Sequence, residues 1–312
     1  MYMLRQMMIM SSSLLFLASF SSCAVRRTDD PAMGGNHFEK KLVVAPGGTL
    51  TLRTDIGSVT IRGGSGNEVG VLADMHGKES DVSRFFITAD QSGNDVQVKG
   101  QFQEKARSWF RSVNNFDVQF VITVPHEYNV DVHTSGGTVE VSAVKGTLNG
   151  GTSGGDIKVH EIEGPISMET SGGDVSAEHV TGTVRMMTSG GDIRLVALTG
   201  DADVKTSGGS IDAESVNGRV DARTSGGNVR LKISGENKGI HAETSGGNIE
   251  LSIPKAVGAQ LDLSTSGGDV TCDMPVTVSG KIREDNIKGT VNGGGSEVYA
   301  HTSGGNISLR PE

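Results

Sequence analysis

Three groupings of residues in this chain have the types that chemistry uses. Gly151-Thr152-Ser153-Gly154-Gly155 fits G-x-S-x-G, the pattern that presents a serine nucleophile. His160-Glu161 and Glu178-His179 join imidazoles to carboxylates one 18-residue step apart, the donor types of a transition-metal site. Asp156, Asp174, Asp192 and Asp269 each follow a Gly-Gly pair, which brings calcium to mind. Each grouping depends on the element that would position it. A nucleophile elbow needs a strand-to-helix turn with His and Asp partners, a metal needs converging ligands, and calcium needs six to eight oxygens.

One tetrapeptide governs all three. Thr-Ser-Gly-Gly occurs nine times, starting at Thr134, Thr152, Thr170, Thr188, Thr206, Thr224, Thr244, Thr265 and Thr302, and the first six starts are 18 residues apart. A fixed short period means one small unit stacked on copies of itself. Read at that period, apolar columns emerge: Val139, Ile157, Val175, Ile193, Ile211, Val229; then Val141, Val159, Ala177, Leu195, Ala213, Leu231; then Val144, Ile162, Val180, Leu198, Val216; then Leu148, Ile166, Val184, Ala202, Val220. Polar residues separate the paired columns, which is the mark of strands with one buried face. A second glycine column, Gly146, Gly164, Gly182, Gly200 and Gly218, lies half a repeat away. Two glycine-bearing bends per 18 residues leave no room for a stable helix.

The chain therefore reads as all-β: a single-stranded parallel β-solenoid (β-helix) with 18-residue rungs over 130–312, behind an N-terminal β-rich cap over 38–129. Counting by twos from Ala202 and Val204 turns Thr206 inward, so the threonines form a column at the edge of the core that hydrogen-bonds from rung to rung. The glycines then supply a tight bend, with positive φ expected at Gly208 or Gly209. The Asp, Ser or Asn that follows bonds to nearby backbone, as such residues do in turns.

On this reading the chemical candidates become architecture. G-x-S-x-G arises because Gly151 happens to precede a repeat. The histidine pair lacks H-E-x-x-H or paired-cysteine spacing, and reads as solvated surface residues with no metal. The acid directly follows Gly-Gly, unlike the calcium nonapeptide G-G-x-G-x-D, and Asn or Ser replaces it in several rungs. No cofactor and no catalytic residue are expected.

Residues 1–22 carry one charge, Arg5, beside the apolar run Leu14-Leu15-Phe16-Leu17-Ala18, and read as a secretory signal peptide. Phe20-Ser21-Ser22-Cys23 resembles a bacterial lipobox, with Phe20 where leucine is usual, which makes Cys23 the lipidation site. Residues 23–37 read as a lipidated tether. With Cys23 acylated, Cys272 stands alone and no disulfide forms. By resemblance to Gram-negative lipoproteins, the non-acidic Ala24 permits transport to the outer membrane. Within the cap, Arg107, Trp109, Phe110 and Arg111 cluster in Glu104–Asn115. The segment reads as a loop whose aromatics plug the end of the solenoid, and alternatively as a ligand-contacting tip.

The repeated TSGG(D/N) followed by alternating apolar residues, the Val124-Pro125 step before the first rung, and the closing stretch from Gly289 through Gly293-Gly294-Gly295 to Thr302–Ile307 together resemble the bacterial putative-adhesin β-solenoid family, domain of unknown function 4097. That resemblance covers 38–310 and implies a solenoid at the cell envelope; it supplies no catalytic residues.

Composition narrows function further. The net charge of −9 disfavours nucleic acid, and 4% aromatics offer no stacking platform for glycans along the shaft. The rival is a β-helix enzyme on cell-wall or extracellular polysaccharide, which needs clustered carboxylates in loops projecting from the rungs. From Thr134 to Thr224 there are no insertions, and outward columns such as Glu169, Met187, Lys205, Arg223 and Glu243 mix signs. The expectation is a lipid-anchored, adhesin-like or scaffold protein without catalysis. Its partners would be the membrane, through its N-terminal lipid, and a surface protein or glycan.

Overall fold

Each run of alternating apolar residues becomes a strand, because extended backbone sends successive side chains to opposite faces. The computed structural model describes residues 36–103, 116–278 and 283–312, and among them lie 27 strands and one short helix. The N-terminal region comprises β1 (His37–Val43), β2 (Thr49–Thr54), β3 (Ser58–Gly64), β4 (Glu68–His76), α1 (Glu79–Val82), β5 (Phe85–Ser92), β6 (Asp95–Phe102) and β7 (Asp117–Pro125).

The repeats then alternate between two sheets. One sheet takes β9 (Val139–Lys145), β11 (Ile157–Glu163), β13 (Val175–Thr181), β15 (Ile193–Thr199), β17 (Ile211–Asn217), β19 (Val229–Ile233) and β21 (Ile249–Ile253). The other takes β8 (Asn129–Thr134), β10 (Leu148–Thr152), β12 (Ile166–Thr170), β14 (Val184–Met187), β16 (Ala202–Lys205), β18 (Val220–Arg223) and β20 (Ile240–Thr244). Neighbouring rungs pair in parallel at the sequence period, Ile157 with Val175 and Ile166 with Val184. The inward columns meet between the sheets: Ile157, Val159, Ile162, Ile166 and Met168 are each at most 2% exposed. A lone rung could cover this apolar face only against another copy, which is why the unit repeats.

The strands of the first sheet carry a kink. Ala143, Glu161, His179, Ala197 and Ser215 hold φ between 54° and 57°, a left-handed conformation that costs a non-glycine residue roughly 1–2 kcal/mol. The kink inserts one extra residue between inward positions, so that two consecutive side chains face solvent. The three-residue step from Val159 to Ile162 in the apolar columns is its sequence signature.

Both ends of the stack depart from chain order. Thr49–Thr54 pairs in parallel with Asn129–Thr134, and β3 pairs with β9. Residues 49–64 thus form a full rung, with Thr54-Asp55-Ile56-Gly57 standing where later rungs have Thr-Ser-Gly-Gly. Because this tetrapeptide is degenerate, the repeat is not visible within 38–129, although residues 49–64 pair into the stack as the later rungs do. Beyond that rung lie β6 and β7, closed off by antiparallel β5, β4 and β1.

The C-terminal strands are β22 (Ala259–Thr265), β23 (Val270–Cys272), β24 (Val276–Val278), β25 (Asn286–Val291), β26 (Glu297–Thr302) and β27 (Ile307–Pro311). The last rung, β26 and β27, is inserted between β20/β21 and β22/β23. Antiparallel β25 and β24 then cover the far edge of the second sheet. Antiparallel strands thus close the N-terminal end of both sheets and the C-terminal end of the second, whereas the first sheet ends on the three-residue strand β23, paired in parallel with β27; so short an edge strand offers little template to other chains.

Candidate functional site

The Thr-Ser-Gly-Gly edge divides its four residues between structure and surface. Thr152, Thr170, Thr188, Thr206, Thr224 and Thr244 are buried. Their hydroxyls do not bond to one another, as a threonine ladder would. Each donates to the carbonyl of the second glycine one rung back, Thr170 to Gly155 at 2.8 Å and Thr188 to Gly173 at 2.9 Å. A hydroxyl has one proton and two lone pairs, so it also accepts from its own rung, Gly191 N–H to Thr188 at 3.3 Å.

The glycines are required by proximity rather than by handedness. Among residues 154–247 no glycine of the tetrapeptide takes positive φ, so the expectation for Gly208 or Gly209 fails. A Cβ on Gly209 would lie 2.0 Å from the Gly191 carbonyl oxygen, because parallel rungs bring these backbones together. The acids of the next column are also engaged. Asp156, Asp174 and Asp192 each turn one Oδ1 to the backbone N–H of the following rung, at 3.0, 2.8 and 2.7 Å.

The serine carbonyls join the network, Ser189 accepting from Gly208 N–H and Ser207 from Gly226 N–H, but their side chains do not, and Ser153, Ser171, Ser189 and Ser207 are exposed. They form one wall of a groove of about 460 Å³ running along the stack, with His133, Gly151, Glu169, Met187 and Lys205 opposite. Strand β10 leaves it open at one point by carrying Gly151 between His133 and Glu169. A Cβ on Gly151 would meet the Glu169 carbonyl oxygen at 2.1 Å, so the missing side chain follows from close strand approach. Lys205 is held by Asp203 at 3.1 Å, and His133 lies 3.3 Å from Asp131. The lining therefore offers hydroxyls, one carboxylate, one ammonium, one imidazole and one thioether. This suits a polar chain laid along the axis.

Ser153 sits on a bend between two strands, not at a strand-to-helix elbow, and among the described residues it has no hydrogen bond to a histidine. His133 and His301 are on strands far apart in the second sheet, and His301 Nδ1 lies 3.0 Å from Ser264 Oγ. Cys272 is half-buried against the core, and burial pushes its thiol pKa up, which makes it a poor nucleophile. His160 and His179 do come together, with ring centroids 5.3 Å apart. Cys23, Arg107, Trp109, Phe110 and Arg111 lie outside the described residues. Sequence reasoning missed an aromatic cluster at the N-terminal end, where Phe85, Phe102 and Phe116 pack with centroids 5.0–5.4 Å apart. Its members are 17 and 14 residues apart in sequence, so no local pattern announces it.

The sequence model described as Toastrack DUF4097 matches residues 49–310. No curated protein matches the chain. Among solved structures, a "putative adhesin" from Parabacteroides distasonis is similar at 12% identity, covering 90% of this chain and 100% of that one, with a TM-score of 0.44. A "putative cell adhesion protein" from Clostridium sporogenes is 16% identical, covering 88% and 100%, with a TM-score of 0.22. A "putative lipid binding protein" from Parabacteroides distasonis is 15% identical, covering 89% and 98%, with a TM-score of 0.34.

Proposed function

The chain belongs to the Toastrack DUF4097 family, and on that premise we propose that it is a non-catalytic envelope protein that binds an extended polar partner along its shaft. The observation that carries this reading is the groove beside the exposed serine column. Rigid rungs hold its hydroxyls at a regular spacing, and Met187 adds apolar contact between Glu169 and Lys205. A preformed surface of this kind binds without the entropic cost of ordering a loop.

We assign residues 1–22 to a signal peptide, Cys23 to lipid attachment and 23–37 to a tether, so that the solenoid stands off the membrane, the outer membrane in a Gram-negative host. Residues 130–312, together with the rung of 49–64, would serve as the shaft of one display element, and the rest of 38–129 as its cap. Arg107, Trp109, Phe110 and Arg111 would form a second contact at the cap end. The polysaccharide-enzyme reading is disfavoured by the groove's chemistry: glycoside hydrolysis uses a pair of carboxylates, and Glu169 is the one carboxylate among the residues lining it.

The test is capture from intact cells by immobilised protein, compared with Ser171→Arg and Ser189→Arg, which fill the groove from exposed positions. A partner captured by the wild type and lost with both variants supports the proposal. Equal capture by all three would move binding elsewhere on the surface, and hydrolysis of a polysaccharide panel would restore the enzyme reading.

A further inference from the structure

The left-handed kink in the first sheet has a chemical consequence at one place in the stack. Because Glu161 and His179 occupy the kink position of adjacent strands, each strand presents two consecutive side chains outward there. His160 faces Glu178 across the β11–β13 pair. The result is a two-by-two array, His160-Glu161 beside Glu178-His179, in which the imidazoles meet on the diagonal. One ligand atom each from His160, Glu178 and His179 lies within 4.8 Å of the others. Neighbouring rungs leave the array open, with Ser142-Ala143 on one side and Val196-Ala197 on the other.

We propose that His160, His179 and Glu178 bind a divalent transition-metal cation of the zinc class, with water completing the coordination. Two imidazoles and a carboxylate with one open position is a donor set zinc accepts. Zinc–nitrogen bonds of about 2.0–2.1 Å place tetrahedral ligand atoms roughly 3.4 Å apart. The array must therefore draw in by at most about 1.4 Å. His160 and His179 are exposed, and Glu178 is partly so, so side-chain rotation achieves this without moving the paired strands. Glu161 Oε1 lies 3.9 Å from His160 Nδ1, close enough for a side-chain rotation to make the hydrogen bond by which a carboxylate orients a ligating imidazole and leaves Nε2 for the metal. Oxygen-seeking cations are poorly served by a site with two nitrogens, so calcium and magnesium are not its ligands.

The experiment uses purified protein without a polyhistidine tag and titrates it with Zn²⁺ by calorimetry and with Co²⁺ by visible absorption. The expected result is a Zn²⁺ isotherm of one site per chain and the intense d–d bands of four-coordinate Co²⁺. Both should be lost in His160→Ala and in His179→Ala, and affinity should fall by about tenfold or more in Glu178→Gln; outer-sphere changes alone cost roughly 10–100-fold. Circular dichroism of the variants should match wild type, since these side chains are not part of the core. Zn²⁺ bound equally well by His160→Ala and His179→Ala would place the ion at other residues and overturn the proposal. So would a wild-type protein that gives no Zn²⁺ isotherm, or only the weak spectrum of six-coordinate Co²⁺.

Discussion

The hydroxyl of Thr206 donates to the carbonyl of Gly191 in the preceding rung at 2.8 Å and accepts the N–H of Gly209 in its own rung at 3.2 Å. One buried side chain thus satisfies two backbone groups at the edge where the chain turns from one sheet to the other. The same relation recurs along the stack, Thr224 with Gly209 and Thr244 with Gly227. It explains why threonine, and not the isosteric valine, fills an inward column next to the core.

Thr206→Val keeps the shape and removes the hydroxyl. The Gly191 carbonyl and the Gly209 N–H are then left without this partner in a dry place, at a cost of about 1–3 kcal/mol. Thr206→Ser retains the hydroxyl and should lose less. Urea melts of the two variants check the order; valine as stable as wild type would remove the hydroxyl from the account.

Gly209 and Gly208 should respond differently to a single methyl group. A Cβ at Gly209 would stand 2.0 Å from backbone oxygen, whereas at Gly208 the nearest atom is 3.4 Å away. Gly209→Ala is expected to cost several kcal/mol, at or beyond the usual ~1–3 kcal/mol of overpacking, because backbone cannot rotate aside. Gly208→Ala should stay within about 1 kcal/mol. Equal melts would show that the strands do not approach as closely as this register demands.

Tyr128 sets a limit at alkaline pH. It is 1% exposed, donates its phenolic proton to the Asn94 carbonyl, and burial, with Asp95 nearby, pushes its pKa up to about 12. The unfolded chain ionises near pH 10, so the protonated phenol favours the fold. Its contribution is complete below pH 10 and is lost as pH rises through 12, a difference on the order of 2–3 kcal/mol. Tyr128→Phe should begin less stable and decline less steeply between pH 10 and 12. Parallel curves for the two proteins would assign the alkaline loss to other groups.

Cys23→Ala tests the anchor. Acyl burial contributes about 0.8 kcal/mol per CH₂, and stable attachment takes more than one chain. The wild type should partition into the detergent phase and the variant should not. Unchanged partitioning would end the lipoprotein assignment.

Much of this protein is legible in its residues alone. The 18-residue period, the inward columns from Val139 to Val229 and the burial of Thr206 all follow from alternation at period two, which is local and repeated often enough to average out exceptions. Tertiary structure decided the rest, for reasons of packing at a distance. Gly209 is glycine because of Gly191 in another rung, a contact invisible in its own backbone angles. The nine Thr-Ser-Gly-Gly edges are nearly interchangeable as pairing partners, so nothing local says that Thr302 belongs between Thr244 and Thr265. Thr54 joins the same column although its tetrapeptide is degenerate, because stacking tests backbone fit and not identity. The meeting of His160 with His179 needed both a parallel register and a left-handed residue at each kink. The sequence carries the three-residue step between Val159 and Ile162, but only the folded sheet turns that step into two side chains facing the same way.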